Sequence, residues 1–185
     1  MNRSIFEVCP DIVGVNLLYV GFNRHIPSQG IEYKKWWYDL FVSKGFSKFT
    51  ILEIFSMNVE FAEKYFILDR DIDIDVVEGN VLSASKYFKD KEFDVSLWWH
   101  GPEHVYEEEI DLALKELELI TSKFIIIGCP NGMQVQKAVY GNANEIHLSG
   151  PDEKFFKNRG FLTKVISRKG FGLKPHLTGV KILHE

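Results

Sequence analysis

Short apolar runs alternate with helix-like segments through most of this 185-residue sequence, and that alternation restricts the fold more than any other feature. The first run is Val15–Val20, ended by Gly21. The second is Phe49–Phe55, and the third is Ile74–Glu78, with Gly79-Asn80 behind it. Phe93–Trp99 and Phe124–Ile127 are the fourth and fifth. Between them lie an aromatic amphipathic stretch from Tyr33 to Phe46, a short helix candidate from Met57 to Phe66, and a long one from Val105 to Thr121. In the long one, Ile110, Leu112, Leu114, Leu117 and Ile120 fall mainly on one helical face. Glu107, Glu108 and Glu109 occupy its first turn, where the helix dipole favours negative charge. The all-apolar Phe124–Ile127 suits a parallel strand covered on both faces.

The last third changes character. Residues 151–159 read as a short helix closed by Gly160, a residue suited to the left-handed cap. Leu162–Ser167 and Leu177–Leu183 are two more strand candidates, and the glycine-rich stretch between them is too short for a crossover helix. They should therefore pair antiparallel. The pattern predicts an α/β chain, a Rossmann-like three-layer sandwich with a seven-stranded, mostly parallel sheet and an antiparallel C-terminal hairpin, in one domain spanning 1–185. Such sheets bind ligands beyond the carboxyl ends of their strands, where strand order reverses. That directs attention to Gly21–His25, Glu53, Gly79-Asn80 and Trp98–His104.

Composition removes several function classes. With 45% hydrophobic and 26% charged residues the chain is globular rather than disordered. A net charge of −4, from 22 Lys+Arg against 26 Asp+Glu, argues against generic nucleic-acid binding. No run approaches the ~20 apolar residues of a membrane span, and MNRSIFEVCPDIVGV lacks the apolar core of a secretory signal. Cys9 and Cys129 lie far apart, match no metal-ligand spacing and read as free thiols in a reducing compartment. A cytoplasmic protein without membrane contact is expected.

Specific residues add a resemblance. Phe93-Asp-Val-Ser-Leu-Trp-Trp-His-Gly-Pro-Glu-His-Val105 resembles the fourth strand and following "EH" segment of the class I S-adenosylmethionine-dependent methyltransferases. The helix from Val105, the strand ending in Gly128-Cys-Pro-Asn-Gly132, and the segment His147–Phe161 are similar to the family's later elements. The resemblance runs from about Val15 to His184. It implies S-adenosylmethionine as cofactor and methyl transfer to a small-molecule or protein acceptor. It further implies cofactor contacts from Gly21 and Asn23 in the loop after the first strand, from Glu53 to the ribose hydroxyls, and from Asn80 to the adenine amino group; Trp98, at the end of the fourth strand, is a candidate to stack on the adenine or on a substrate ring. The loop Tyr19-Val-Gly-Phe-Asn-Arg-His25 departs from the family pattern. Tyr19 stands at the usual acidic position, and Asn23 and His25 stand where further glycines are usual. A catalytically inactive methyltransferase-like binding or scaffolding module is therefore the alternative.

Each candidate has a plainer reading. Glu53 is otherwise a solvated strand-end carboxylate, and Asn80 a turn residue after Gly79. Trp98 and Trp99 should face opposite sides of the sheet; core packing alone would account for both. His100, delivered by the fourth strand to the mouth of the site, is a candidate general base or a polar loop residue. His100-Gly-Pro-Glu-His104 matches the H-x-x-E-H pattern of zinc peptidases. Gly101 and Pro102 oppose the helix that pattern needs, so Glu103-His104 reads as structural. No metal ligand is assigned, and His147 and His176 have no spacing that argues for one.

Overall fold

The period-two alternation of the strands becomes two apolar faces on one sheet. The computed structural model describes residues 4–22, 36–68, 74–139, 141–167 and 174–183. In chain order these form α1 (Ser4–Val8), β1 (Asn16–Val20), α2 (Trp36–Val42), β2 (Lys48–Glu53), α3 (Ser56–Leu68) and β3 (Ile74–Glu78). Then come β4 (Phe93–Trp99), α4 (Glu107–Ile120), β5 (Thr121–Pro130), α5 (Glu153–Lys157), β6 (Leu162–Ile166) and β7 (His176–Ile182). Short 3₁₀ turns cover Val81–Lys86, Pro102–His104 and Ala143–Glu145.

The seven strands lie in the order β3-β2-β1-β4-β5-β7-β6. β1 pairs parallel with β2 on one side and β4 on the other, while β2 pairs with β3 and β4 with β5, also parallel. β7 runs antiparallel to β6, as the short connection between them required, and also to β5. Strand order reverses between β1 and β4. In register, Val20 lies beside both Leu52 and Trp98, and Glu53 lies beside Glu78. The carboxyl ends of β1 to β4 therefore finish at one edge.

Leu17, Tyr19, Ile51, Leu97 and Trp99 face one layer, where they meet Trp37 and Phe41 of α2. Leu18, Val20, Leu52, Trp98 and Ile127 face the other, against Ile110, Leu114 and Leu117 of α4 and Phe156 of α5. Burial of each such side chain contributes roughly 1.5–3 kcal/mol, so the two layers supply most of the folding drive. Helix α1 has five residues, too few to be stable alone. It holds because Ile5 is fully buried and the Ser4 hydroxyl lies 2.8 Å from that of Thr178 in β7. Gly160 has a φ of 82° and closes α5, in agreement with the sequence reading. Cys9 and Cys129 are both buried free thiols.

Candidate functional site

The site is built from four strand ends. At the end of β1, Gly21 has a φ of 82° and donates its N–H to the Leu52 carbonyl at 2.8 Å. Among the described residues a Cβ there would touch nothing within 4 Å, and the positive φ is what favours glycine. Tyr19 points into the α2 layer and stacks on Trp37, with ring centroids 4.5 Å apart and planes within 6°. This aromatic pair stands where the resemblance would place an acid. Asn23 and His25 lie outside the described residues.

Glu53 ends β2 and is 5% exposed, which removes the reading of a solvated carboxylate. The Phe22 N–H donates to its Oε2, and the Phe55 N–H donates to its Oε1 at 2.8 Å. One carboxylate thus ties the exit of β1 to the turn that opens α3. Burial pushes its pKa up from 4.5 to about 7, against the lowering effect of hydrogen bonds from Phe55, Phe22 and Asn58; the Glu145 charge adds to the rise. Each carboxylate oxygen has a second lone pair, so the group retains acceptor capacity for a hydroxyl.

At the end of β3, Gly79 donates to the Glu53 carbonyl at 2.9 Å. A Cβ on Gly79 would lie 2.7 Å from Leu52 and 2.8 Å from Tyr87, so close packing demands glycine here. Asn80 caps the following 3₁₀ turn: its Oδ1 accepts from the Leu82 N–H at 2.9 Å. The Asn80 side chain also carries an amide NH₂, a donor group.

β4 ends in an abrupt turn. His100 has a φ of 54°, an uncommon conformation for a residue with a side chain, and its N–H donates to the Gly128 carbonyl at 2.6 Å. Gly101 follows because a Cβ there would sit 1.8 Å from the Trp98 indole nitrogen. Trp98 and Trp99 face opposite layers as expected, and both are buried, at 2% and 5% exposure. The Trp98 indole is core packing between the sheet and α4.

The His100 side chain is 39% exposed, and its Nδ1 lies 3.0 Å from Glu103 Oε1. Glu103 is 1% exposed. Burial would raise its pKa, but the hydrogen bond with His100 and the charges of His100 and His104 outweigh it and hold the carboxyl below its usual range. The Glu103 carbonyl accepts from the N–H groups of Leu148 and Ser149 at 2.8 and 3.2 Å, which draws the 143–149 segment against the end of β4. Glu145 on that segment is raised by burial and by the Glu103 charge. Burial lowers the pKa of His104, with the Glu103 charge opposing. The Pro102–His104 turn is 3₁₀ and three residues long, so H-x-x-E-H is not displayed on an α-helix. The ligand-type atoms that do converge, within 4.8 Å of one another, belong to Glu103, His104 and His147.

Solved structures share this fold. A S-adenosylmethionine-dependent methyltransferase from Archaeoglobus fulgidus matches at a TM-score of 0.63 and 14% identity, covering 98% of this chain and 92% of that one. One from Methanosarcina mazei matches at 0.62 and 15%, covering 91% and 93%. The chain has the class I methyltransferase fold. The 1,6-didemethyltoxoflavin-N1-methyltransferase of Burkholderia thailandensis, solved with 1,6-didemethyltoxoflavin and S-adenosylhomocysteine, matches at 0.64 and 14%, covering 99% of this chain and 76% of that one. No protein-family model and no curated protein matches the sequence.

On this methyltransferase fold, Gly21, Glu53 and Asn80 come together at the carboxyl ends of β1, β2 and β3, with His100 next along the edge at β4. Trp98 lies beneath them in the core. Nothing in the sequence singles out Glu145, and His147 lacks metal-ligand spacing; a helix and a strand separate both from Glu103. No local spacing signals that approach. Among the described residues no helix is long and apolar enough to cross a membrane.

Proposed function

We propose that the chain binds S-adenosylmethionine across the ends of β1, β2 and β3 and transfers its methyl group to a small-molecule or protein acceptor. The observation that carries this reading is Glu53, a buried carboxylate at the end of β2 that clasps the β1 exit through the Phe22 N–H and keeps lone pairs for a ribose diol. Gly21 and Asn23 would allow close backbone approach, and the Asn80 amide would meet the adenine edge. The fully buried Trp98 supports the floor of the site through packing.

Methyl transfer is a direct displacement: the acceptor–carbon bond forms as the carbon–sulfur bond breaks, and S-adenosylhomocysteine leaves. Holding the partners in line supplies much of the catalysis. His100 is the assigned base. With Nδ1–H donated to Glu103, its Nε2 takes the proton that a hydroxyl or amine acceptor loses. The second reading, a binding module without catalysis, draws on Tyr19, whose stacking on Trp37 replaces the loop-ordering acid.

The experiment is titration with S-adenosylmethionine and S-adenosylhomocysteine, followed by an acceptor screen with radiolabelled methyl donor. Binding plus transfer supports the enzyme; binding without transfer to any acceptor supports the module.

A further inference from the structure

We propose that Glu103, His104 and His147 form a binding site for one divalent transition-metal ion of the zinc class. Three independent observations converge on it. First, one candidate ligand atom from each residue lies within 4.8 Å of the others. Around a zinc ion with bonds of about 2.0–2.1 Å such atoms stand about 3.4 Å apart, so closure takes a side-chain movement of roughly 1 Å.

Second, Glu103 Oε2 is buried and has no hydrogen-bond partner among the described residues, while Oε1 is engaged by His100. An orphaned carboxylate oxygen inside a protein is costly unless a cation or donor meets it. Third, both imidazoles carry the outer hydrogen bond that metal-binding histidines usually make. His104 Nδ1 lies 3.2 Å from the Ile146 carbonyl, and His147 Nδ1 hydrogen-bonds the Gln134 carbonyl. A hydrogen bond from Nδ1–H to a backbone carbonyl fixes the tautomer and presents Nε2 as the ligand nitrogen. The two rings stand 4.8 Å apart at 75°.

Two imidazoles and one carboxylate select a borderline metal such as zinc, cobalt or nickel over magnesium, and three protein ligands leave a coordination position open. In the methyl-transfer reading, on which this last point rests, that position would receive an oxygen of the acceptor beside His100. The cation site itself does not depend on that reading.

The test uses the metal-free full-length chain with cobalt(II) alone, followed by visible absorbance, and with zinc alone, followed by calorimetry. One cobalt per chain, displaced by one zinc, is the expected result. His147→Ala and, separately, Glu103→Gln should each weaken binding at least about 100-fold, beyond the 10- to 100-fold typical of outer-shell changes. Glu103→Gln preserves shape, so it separates loss of the ligand from loss of the fold. Wild-type binding weaker than about 1 mM (−4 kcal/mol) overturns the proposal. So does one-to-one binding that both variants retain within threefold. No methyl donor is present in this titration, so its failure and failure of the methyltransferase reading are separately visible.

Discussion

If Glu53 accepts hydrogen bonds from a ribose, cofactor affinity must depend on pH with a defined sign. In the free protein the carboxyl has a pKa of about 7, raised from 4.5 chiefly by burial. A diol donates to the ionised form, so binding below pH 7 must first remove a proton. The apparent Kd then rises by a factor of 1 + 10^(7 − pH), which makes it about tenfold weaker at pH 6 than at pH 8, and about 100-fold weaker at pH 5. Calorimetry in two buffers of different ionisation heat should show roughly 0.9 proton released per cofactor at pH 6 and roughly 0.1 at pH 8. Glu53→Gln, which cannot ionise, removes both effects, and any ionisation of the cofactor itself persists in that variant as a baseline. The free protein moves oppositely. Because the folded state holds the Glu53 proton more tightly than the unfolded chain, this group's contribution to stability falls as pH rises from 4.5 to 7. The loss is about 3 kcal/mol at most, at 1.4 kcal/mol per decade. An affinity that is flat from pH 6 to 8, or a slope unchanged in Glu53→Gln, refutes the ribose contact.

Two glycines of the site should respond differently to alanine. Gly101→Ala drives a Cβ to 1.8 Å from Trp98 and should cost about 3 kcal/mol, lowering Tm by roughly 6–12 °C; a change under 2 °C would show that the indole swings aside freely. Among the described residues Gly21→Ala meets no atom within 4 Å and carries the positive φ, so it should cost about 1 kcal/mol. His100→Gly relieves the left-handed strain but strips the buried Glu103 Oε1 of its partner, so it should lower Tm by roughly 2–8 °C, while slowing methyl transfer about 10²- to 10⁴-fold with cofactor Kd intact. An unaltered rate removes His100 from the mechanism. Because Glu53 serves two backbone N–H groups, Glu53→Ala should destabilise the chain by about 1–3 kcal/mol as well as abolish cofactor binding, measurable by thermal denaturation.

The strands were legible in the sequence where an apolar run met a clear break. β3 and β4 begin and end at the expected residues, and the antiparallel end of the sheet follows from a short connection. β5 is longer than its apolar run. Its polar start, Thr121-Ser122-Lys123, follows α4 without a break, and its end is extended to Pro130 by pairing with β7. α1 gave no signal, since tertiary contacts from Ile5 and Ser4 hold it. In the site, the position of Glu53 at a strand end was readable. Its burial was not, because that depends on Phe22 and α3 closing over it. The opposed faces of Trp98 and Trp99 follow from strand geometry, but cover on both layers, which buries both rings, is a property of the assembled sandwich. His147 approaches Glu103 as the 143–149 segment bonds to the Pro102–His104 turn, through the carbonyls of Glu103 and Pro102 and the His104 ring, and such long-range bonds leave no periodic trace.

The most direct test is calorimetric titration of the wild-type chain at pH 8, where Glu53 is ionised, with S-adenosylmethionine and separately with S-adenosylhomocysteine. One site per chain with micromolar affinity, about −8 kcal/mol, is the expected result. A cooperatively folded protein that binds neither molecule at millimolar concentration would contradict it.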